Sequence, residues 1–222
     1  MKKNYWTILG LTSILFAIIA LTTGPLFNAN AFGSVPKGKS SDCLKHIFEA
    51  EETYGIPSGL LLAISLVESG KNGSPHPYAL NLNGRSVYSS NIQHASQQIR
   101  LKNGKVRPNI SVGCMQLQVS YHKKHFQPLD RILEPSANVD YAARFLSSLY
   151  RQTKSWPRAV KRYNGGSVQQ VNKYVCKVHA HLHTLNTKSA SVLRHEPCGK
   201  NRAPFISAET KRAFKANPSN MN

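Results

Sequence analysis

Apolar residues recur at helical spacing in two parts of the chain, before residue 71 and after residue 113. In the first part, Leu44, Ile47 and Phe48 share one helical face. In the second part, Pro135 supplies a helix start. The spacing predicts helices over residues 41–55, 57–70, 135–149, 156–163 and 168–182.

The segment between residues 71 and 113 lacks a long helical period. Its Asn83-Gly84 pair is a strong signal for a two-residue hairpin turn, and apolar residues flank it on both sides. Residues 93–101 also fit a short helix. We therefore predict an α+β fold that is mainly α-helical and carries one small β-hairpin element.

The N-terminus has the order of an export signal. Two lysines precede a mostly apolar run over residues 8–21, and Ala-Asn-Ala follows at residues 29–31. Residues 1–31 are predicted to be a signal peptide, cleaved after its last alanine, that sends the protein to the periplasm. An uncleaved membrane anchor is the alternative, because a window over residues 5–27 just reaches the length of a membrane span.

Composition divides the rest of the chain into three parts. Residues 32–40 are mostly Gly, Ser, Lys and Pro, which is a linker composition. Residues 41–185 carry the helical pattern and the hairpin signal, and we predict that they form one domain. Residues 186–222 are polar, basic and Pro-containing, and we predict a loosely ordered tail.

Charge points to an anionic partner. The 222 residues include 29 Lys and Arg against 10 Asp and Glu, a net charge of +19, and 41% are hydrophobic, which excludes wholesale disorder. Export argues against nucleic acid. It leaves cell-envelope polymers, or an anionic membrane surface that the basic tail could contact.

The four cysteines are an even number in a chain predicted to be exported, so disulfides are expected. Three pairings are possible, and the spacing favours Cys176 with Cys198, which would tie the tail to the last helix. Cys114 could equally be a buried thiol. Cys176, His179 and His183 share a helix face and could bind a metal, but a disulfide beside exposed histidines is the preferred interpretation.

Glu68 stands out among the acidic residues. It follows Leu61 by seven positions and Ile64 by four, which places it on an apolar face of the second predicted helix. It also precedes Gly70 by half a turn, near the negative end of the helix dipole. Burial and the dipole both raise a carboxyl pKa, as a general acid for glycosidic cleavage requires. A glutamate turned to water is the alternative.

Three short motifs follow one another in the predicted domain: Glu68-Ser69-Gly70, Gly113-Cys114-Met115-Gln116, and Ala159 through Tyr163-Asn164-Gly165. In this order and spacing they resemble the signature motifs of lytic transglycosylases of the SLT type, which have a goose-lysozyme-like catalytic domain. The resemblance covers roughly residues 43–185.

The resemblance implies a lysozyme-like fold and cleavage of the MurNAc–GlcNAc bond of peptidoglycan, with a 1,6-anhydro product and without metal or cofactor. It makes Glu68 the acid and base, and Ser69 a support for that segment. Tyr163 would point its hydroxyl at Glu68. The remaining implied site residues line or hold the glycan cleft, and they are Gly113, Met115, Gln116, Asn164 and, where the family often has serine, Asn81.

The distribution of acids favours this mechanism over a two-carboxylate lysozyme. No acidic residue lies between Glu68 and Asp130, so the β segment cannot supply a second carboxylate. The remaining acids near the helices are interpreted as solvated, which applies to Glu49, Glu51 and Glu52, or as helix caps, which applies to Asp130, Glu134 and Asp140.

Within the family, residues 78–84 and 115–122 most resemble small enzymes of conjugation, type IV secretion and type IV pilus systems, which open the wall for a trans-envelope machine. Many of those relatives pair an early cysteine with one in an Asp-Pro-Cys segment. Here Cys43 is present, but the corresponding segment ends in Ser136, so that disulfide cannot form.

Two other functions remain open from the sequence. One is a secreted hydrolytic lysozyme that acts as an effector or toxin. The other is a non-catalytic module that only binds peptidoglycan, and the intact Glu68 argues against it.

Overall fold

A computed structural model describes residues 39–194, 198 and 203–217. The predicted signal peptide, most of the predicted linker and the last residues of the predicted tail lie outside this part. No helix of the described residues is long and apolar enough to cross a membrane.

The fold is α+β and mainly helical, as predicted, with a small antiparallel sheet. In chain order the α-helices of the described residues are α1 (Lys39–Thr53), α2 (Leu60–Ser69), α3 (Ile92–Gln98), α4 (Val119–His122), α5 (Pro135–Thr153), α6 (Trp156–Asn164), α7 (Val168–Leu185), α8 (Thr187–Ala190) and α9 (Ala208–Ala216). The strands are β1 (Ala79–Leu82), β2 (Arg85–Tyr88), β3 (Ile110–Val112) and β4 (Leu117–Gln118).

Helix α2 is the centre of the core. Every residue from Leu60 to Leu66 is buried, because the helix is apolar on all sides and packs against both α1 and α7. It begins three residues later than predicted, since Gly59, with φ of 83°, occupies its N-cap. Its buried length fixes the position of its last turn, which holds Glu68.

The predicted hairpin at Asn83-Gly84 is confirmed as β1 and β2, and both turn residues have positive φ, 53° and 87°. The sheet is larger than predicted, because β3 and β4 extend it in the order β2-β1-β3-β4. A tight turn over residues 113–116 joins β3 to β4. The sheet therefore presents that turn to the end of α2.

The prediction of a loosely ordered tail is wrong for the described part of residues 186–222. Helix α9 buries Ala213 and Phe214, and the ring of Phe214 contacts that of Phe48 on α1. The Ser74 hydroxyl bonds Thr210 at 2.8 Å. Only two or three apolar residues carry this packing, too few to show a period in a basic sequence.

Two disulfides join the cysteines. Cys176 pairs with Cys198, as the spacing favoured, with 5.3 Å between their Cα atoms. Cys114 is not a free thiol, because it pairs with Cys43 across 71 residues. Cys43 thus pairs with a cysteine of the second motif, whereas many relatives pair it with a cysteine at the position of Ser136.

Candidate active site

Glu68 lies at the last turn of α2 and faces an open cavity of about 440 Å³. Gly70 ends the helix directly after it. The cavity is lined by residues from the sheet, from α4 and α5, and from the end of α6, among them Asn81, Gln116, Tyr121, Phe145, Tyr163 and Asn164. Arg162 adds one cation to the lining, and the other groups are mostly uncharged polar or aromatic.

The environment of Glu68 favours its protonated form. Burial raises the pKa of the carboxyl to about 7, while a hydrogen bond from Tyr174 and the charge of Lys177 act in the opposite direction. The Tyr174 hydroxyl donates to Glu68 Oε1 at 2.5 Å, and Tyr174 itself is buried on α7. The carboxyl is therefore poised near neutrality, where it can both give and accept a proton.

Two serines fix the end of α2 to the β3–β4 turn. The hydroxyls of Ser65 and Ser69 both donate to the carbonyl oxygen of Cys114, at 2.9 and 2.8 Å. Both serines are buried on the same side of α2, one turn apart. Ser69 thus supports the segment of Glu68, and the Cys43–Cys114 disulfide holds the same turn from α1.

Asn138 holds the β3–β4 turn from the other side. Its buried amide donates to the carbonyl oxygens of Val112 and Ile132, at 3.0 and 2.9 Å, and accepts from the Met115 N–H at 2.9 Å. Gly113 packs directly against this amide, with φ of 84°. A Cβ there would lie 2.6 Å from Asn138 Cγ, so glycine is required.

Gln116 and Asn81 occupy the floor of the cavity. Gln116 has φ of 48°, and its amide nitrogen donates to the carbonyl oxygens of Ala79 and Gly113, at 2.9 and 3.1 Å. Asn81 Oδ1 accepts from the Gly84 N–H at 2.7 Å, which fixes the hairpin turn. Both side chains are held by backbone groups, so the cavity is formed before any ligand binds.

A comparison with known protein families identifies the family of this chain. Residues 45–181 match the Transglycosylase SLT domain model, which is more than half of the chain. The chain belongs to the SLT transglycosylase family. Members are lytic transglycosylases, which cleave peptidoglycan without hydrolysis, and the protein is an enzyme of this class. No curated protein and no solved structure shows significant similarity to it.

Two of the roles implied by resemblance to other transglycosylases differ in this chain. The Tyr163 hydroxyl donates to the Met115 carbonyl oxygen at 2.9 Å, and the group that bonds Glu68 is Tyr174. The Met115 side chain is fully buried in the core and does not line the cleft. Its backbone meets Tyr163, whose ring does line the cleft.

No second carboxylate lines the transglycosylase cleft among the described residues. Asp130 binds Arg100 at 3.0 Å, Asp140 binds Arg144 at 3.0 Å, and Glu134 lies near Arg131. Glu51 is not solvated as predicted, because it is buried and caps α2. Each of these acids is engaged away from Glu68.

Sequence reasoning missed Tyr174 and Asn138. Tyr174 stands in the apolar stripe of the last predicted helix, between Val171 and Val175, where it was indistinguishable from a core residue. Asn138 stands one turn after Pro135 and suggests only a helix start. In both cases the signal was a polar group on an otherwise apolar helix face.

A metal site at Cys176, His179 and His183 would lack its thiolate ligand, because Cys176 is disulfide-bonded. Within the described residues, no group of three or more His, Cys, Asp or Glu side chains could hold a metal ion.

Proposed function

We propose that Glu68 is the acid and base of a reaction that cleaves the β-1,4 bond between MurNAc and GlcNAc. The protonated carboxyl gives its proton to the glycosidic oxygen as the bond from the MurNAc C1 breaks. The C6 hydroxyl of the same sugar attacks C1, and its proton passes to the Glu68 carboxylate. The enzyme is restored, and the product carries a 1,6-anhydro ring.

The observation that carries this proposal is that Glu68 is the single carboxyl group in the cleft, within the part of the chain that the structure describes. A hydrolase with two carboxylates places the second roughly 5–10 Å from the first. The attack of an internal hydroxyl needs no second group to activate water. A carboxyl with a pKa of about 7 can serve in both proton transfers near neutral pH.

The other cleft residues suit a sugar chain. The glycan carries hydroxyl and acetamido groups, and Asn81, Gln116 and Asn164 offer uncharged polar groups around Glu68. Tyr121 is 71% exposed and lines the same cavity, where its ring can lie against a sugar face.

We also propose that the enzyme is exported and opens the wall locally for a secretion, conjugation or pilus machine. Support for export comes from the N-terminal lysines, the apolar run over residues 8–21 and the Ala-Asn-Ala site. Two disulfides suit an oxidising compartment. Support for a role with such a machine comes from residues 78–84 and 115–122, which resemble those of small transglycosylases of conjugation, secretion and pilus systems.

Mass spectrometry of the products tests the reaction. Purified peptidoglycan would be incubated with the full chain and, in parallel, with its Glu68→Gln variant. We expect anhydro products, about 18 Da lighter than hydrated ones (one water), from the wild type and none from the variant. Hydrated reducing ends would overturn the mechanism, and full activity of the variant would overturn the assignment of Glu68.

A further inference from the structure

A second cavity, of about 490 Å³, lies next to the cleft of Glu68 and is lined by different chemistry. It shares Asn164 and Gly165 with the cleft, so the two spaces adjoin at the end of α6. Its other lining residues come from the Gly165-Gly166 turn and from one face of α7: Gly166, Gln170, Lys173, Tyr174 and Lys177. We call it the lysine cavity.

Two ammonium groups dominate the lysine cavity. Lys173 and Lys177 are one helical turn apart, so their side chains project from the same face of α7. Both residues are exposed, and in the described part of the chain neither forms an ion pair. No acidic residue lines the cavity there. The lysine cavity is therefore a positively charged space open to an anionic ligand.

Each of the other polar side chains of the lysine cavity has one atom in a hydrogen bond within the protein. Gln170 Oε1 accepts from the Ser167 N–H at 2.9 Å in the capping box of α7. The Tyr174 hydroxyl donates to Glu68. Asn164 donates to the carbonyl oxygen of Gly165 at 2.8 Å. Among the described residues, the two lysines are the charged groups of this cavity, so recognition of an anion depends on them.

We propose that the lysine cavity binds a carboxylate of the peptide stem attached to the muramic sugar, so that the enzyme prefers stem-bearing glycan over naked glycan. The proposal rests on the proposed function, since it needs a glycan strand in the cleft. The glycan backbone itself is uncharged, whereas each stem carries carboxylates. A stem that leaves the cleft past Asn164 and Gly165 enters the lysine cavity.

The test compares three uncrosslinked strands: stem-bearing strands, the same strands with stem carboxylates amidated, and strands stripped of stems by an amidase, which frees one lactyl carboxylate on each muramic sugar. The amidated strands are therefore the uncharged reference. For the full chain we expect kcat/KM to be about fivefold higher for stem-bearing than for amidated strands, the scale of one or two exposed charge pairs. The preference should fall as salt is raised, because exposed charges are screened.

Lys173 is the residue to vary, because Lys177 also acts on Glu68. Lys173→Gln should lower the preference to about twofold, because Lys177 stays charged, and should leave turnover of amidated strands unchanged. Lys173→Arg should retain the fivefold preference. Lys211→Gln is the matched control, an equal loss of charge on α9 outside both cavities. It should keep the fivefold preference.

Equal cleavage of charged and amidated strands by the wild type would overturn this proposal while leaving the proposed function intact. The same holds for a preference that stays fivefold in Lys173→Gln, or that drops equally in Lys211→Gln. Absence of anhydro products from all three strands would instead overturn the proposed function. In that case, binding of the strands to the Glu68→Gln variant would still have to show the charge preference, and equal affinities would overturn the lysine cavity as well.

Discussion

A glutamate lies at each end of helix α2, Glu51 buried and Glu68 half-buried, and burial raises the pKa of each carboxyl to about 7. At the N-terminal end, Glu51 of α1 is 4% exposed, and its oxygens accept from the N–H groups of Gly59, Leu61 and Leu62, at 2.8, 2.8 and 3.1 Å. At the C-terminal end, Glu68 accepts from Tyr174 and faces the cleft.

The difference shows that a raised pKa reports burial and does not by itself identify a catalytic acid. The oxygens of Glu51 are used by backbone amides that would otherwise lack partners at the helix start, so Glu51 works as a cap. Glu68 has one partner and an open side, so its proton can reach a ligand. The two roles therefore differ in two respects: whether a ligand can reach the carboxyl, and whether its oxygens can still form hydrogen bonds.

The largest effect that tests this comparison is expected from Glu68→Gln. Removal of the general acid and base should lower kcat by about 10³-fold or more, since such groups contribute 10²–10⁴-fold. The free energy of unfolding should stay the same or rise, because the variant replaces a buried ionisable group by a neutral one. Anhydro-product release and urea unfolding measure the two quantities.

Glu51→Gln serves as the control for that result, because it removes a carboxyl of equal pKa from the other end of the same helix. If it abolished activity while leaving stability untouched, the assignment of roles to the two ends of α2 would be wrong.

The next largest effect concerns the β3–β4 turn, which restrains the C-terminal end of α2, where Glu68 lies. Gly113→Ala should lower the free energy of unfolding by about 3 kcal/mol or more, because the added methyl collides with the Asn138 amide at a positive φ. It should also reduce activity, since the neighbouring Cys114 carbonyl anchors Ser65 and Ser69.

Gly84→Ala is the matched control for this change. Gly84 has nearly the same φ, 87° against 84°, but nothing lies within 4 Å of its added Cβ. It should therefore lose only about 1 kcal/mol, from backbone strain alone. Equal losses in the two variants would mean that the Asn138 contact does not restrain the turn.

The parts of the fold that the sequence predicts are those with local causes. Helical periodicity around Pro135 locates α5, and the positive-φ turn at Asn83-Gly84 locates the hairpin. The apolar spacing before Glu68 also places it on an apolar face of α2, where the structure leaves the residue half-buried. In each case the residues that interact are within a few positions of one another.

The parts that it does not predict depend on partners far apart in the chain. Tyr174 bonds Glu68 across 106 positions, whereas the family resemblance implied this role for Tyr163, which lines the cleft. Glu51 looked solvated because its partners lie on the next helix, beyond a loop. A periodic pattern specifies which face of a helix is buried, but it does not specify which residues that face contacts.

A smaller effect is expected for stability in Glu51→Gln. At pH 7 the variant should lose about 2 kcal/mol, because an amide offers a single acceptor oxygen to three N–H donors. A carboxyl whose pKa rises from 4.5 to about 7 on folding stabilises the fold at low pH and loses this contribution as pH rises through that window. Wild-type stability should therefore fall between about pH 4.5 and 7.

Because glutamine does not titrate, Glu51→Gln should flatten part of that slope, whereas the Glu68→Gln variant should flatten the other part. Urea unfolding at several pH values measures both. Identical slopes in the wild type and in Glu51→Gln would show that Glu51 keeps its ordinary pKa inside the fold.

The smallest effect is expected from Tyr174→Phe, and it distinguishes the role of Tyr174 from that of Tyr163. The Tyr174 hydrogen bond holds down the pKa of Glu68, so its loss should raise that pKa and move the alkaline fall of kcat/KM to higher pH. The drop in kcat should be less than tenfold, since the carboxyl itself remains.

Tyr163→Phe should lower kcat without moving the pH profile, because its hydroxyl bonds the Met115 carbonyl. A profile that moves in Tyr163→Phe and not in Tyr174→Phe would show that Tyr163, and not Tyr174, sets the pKa of the Glu68 carboxyl.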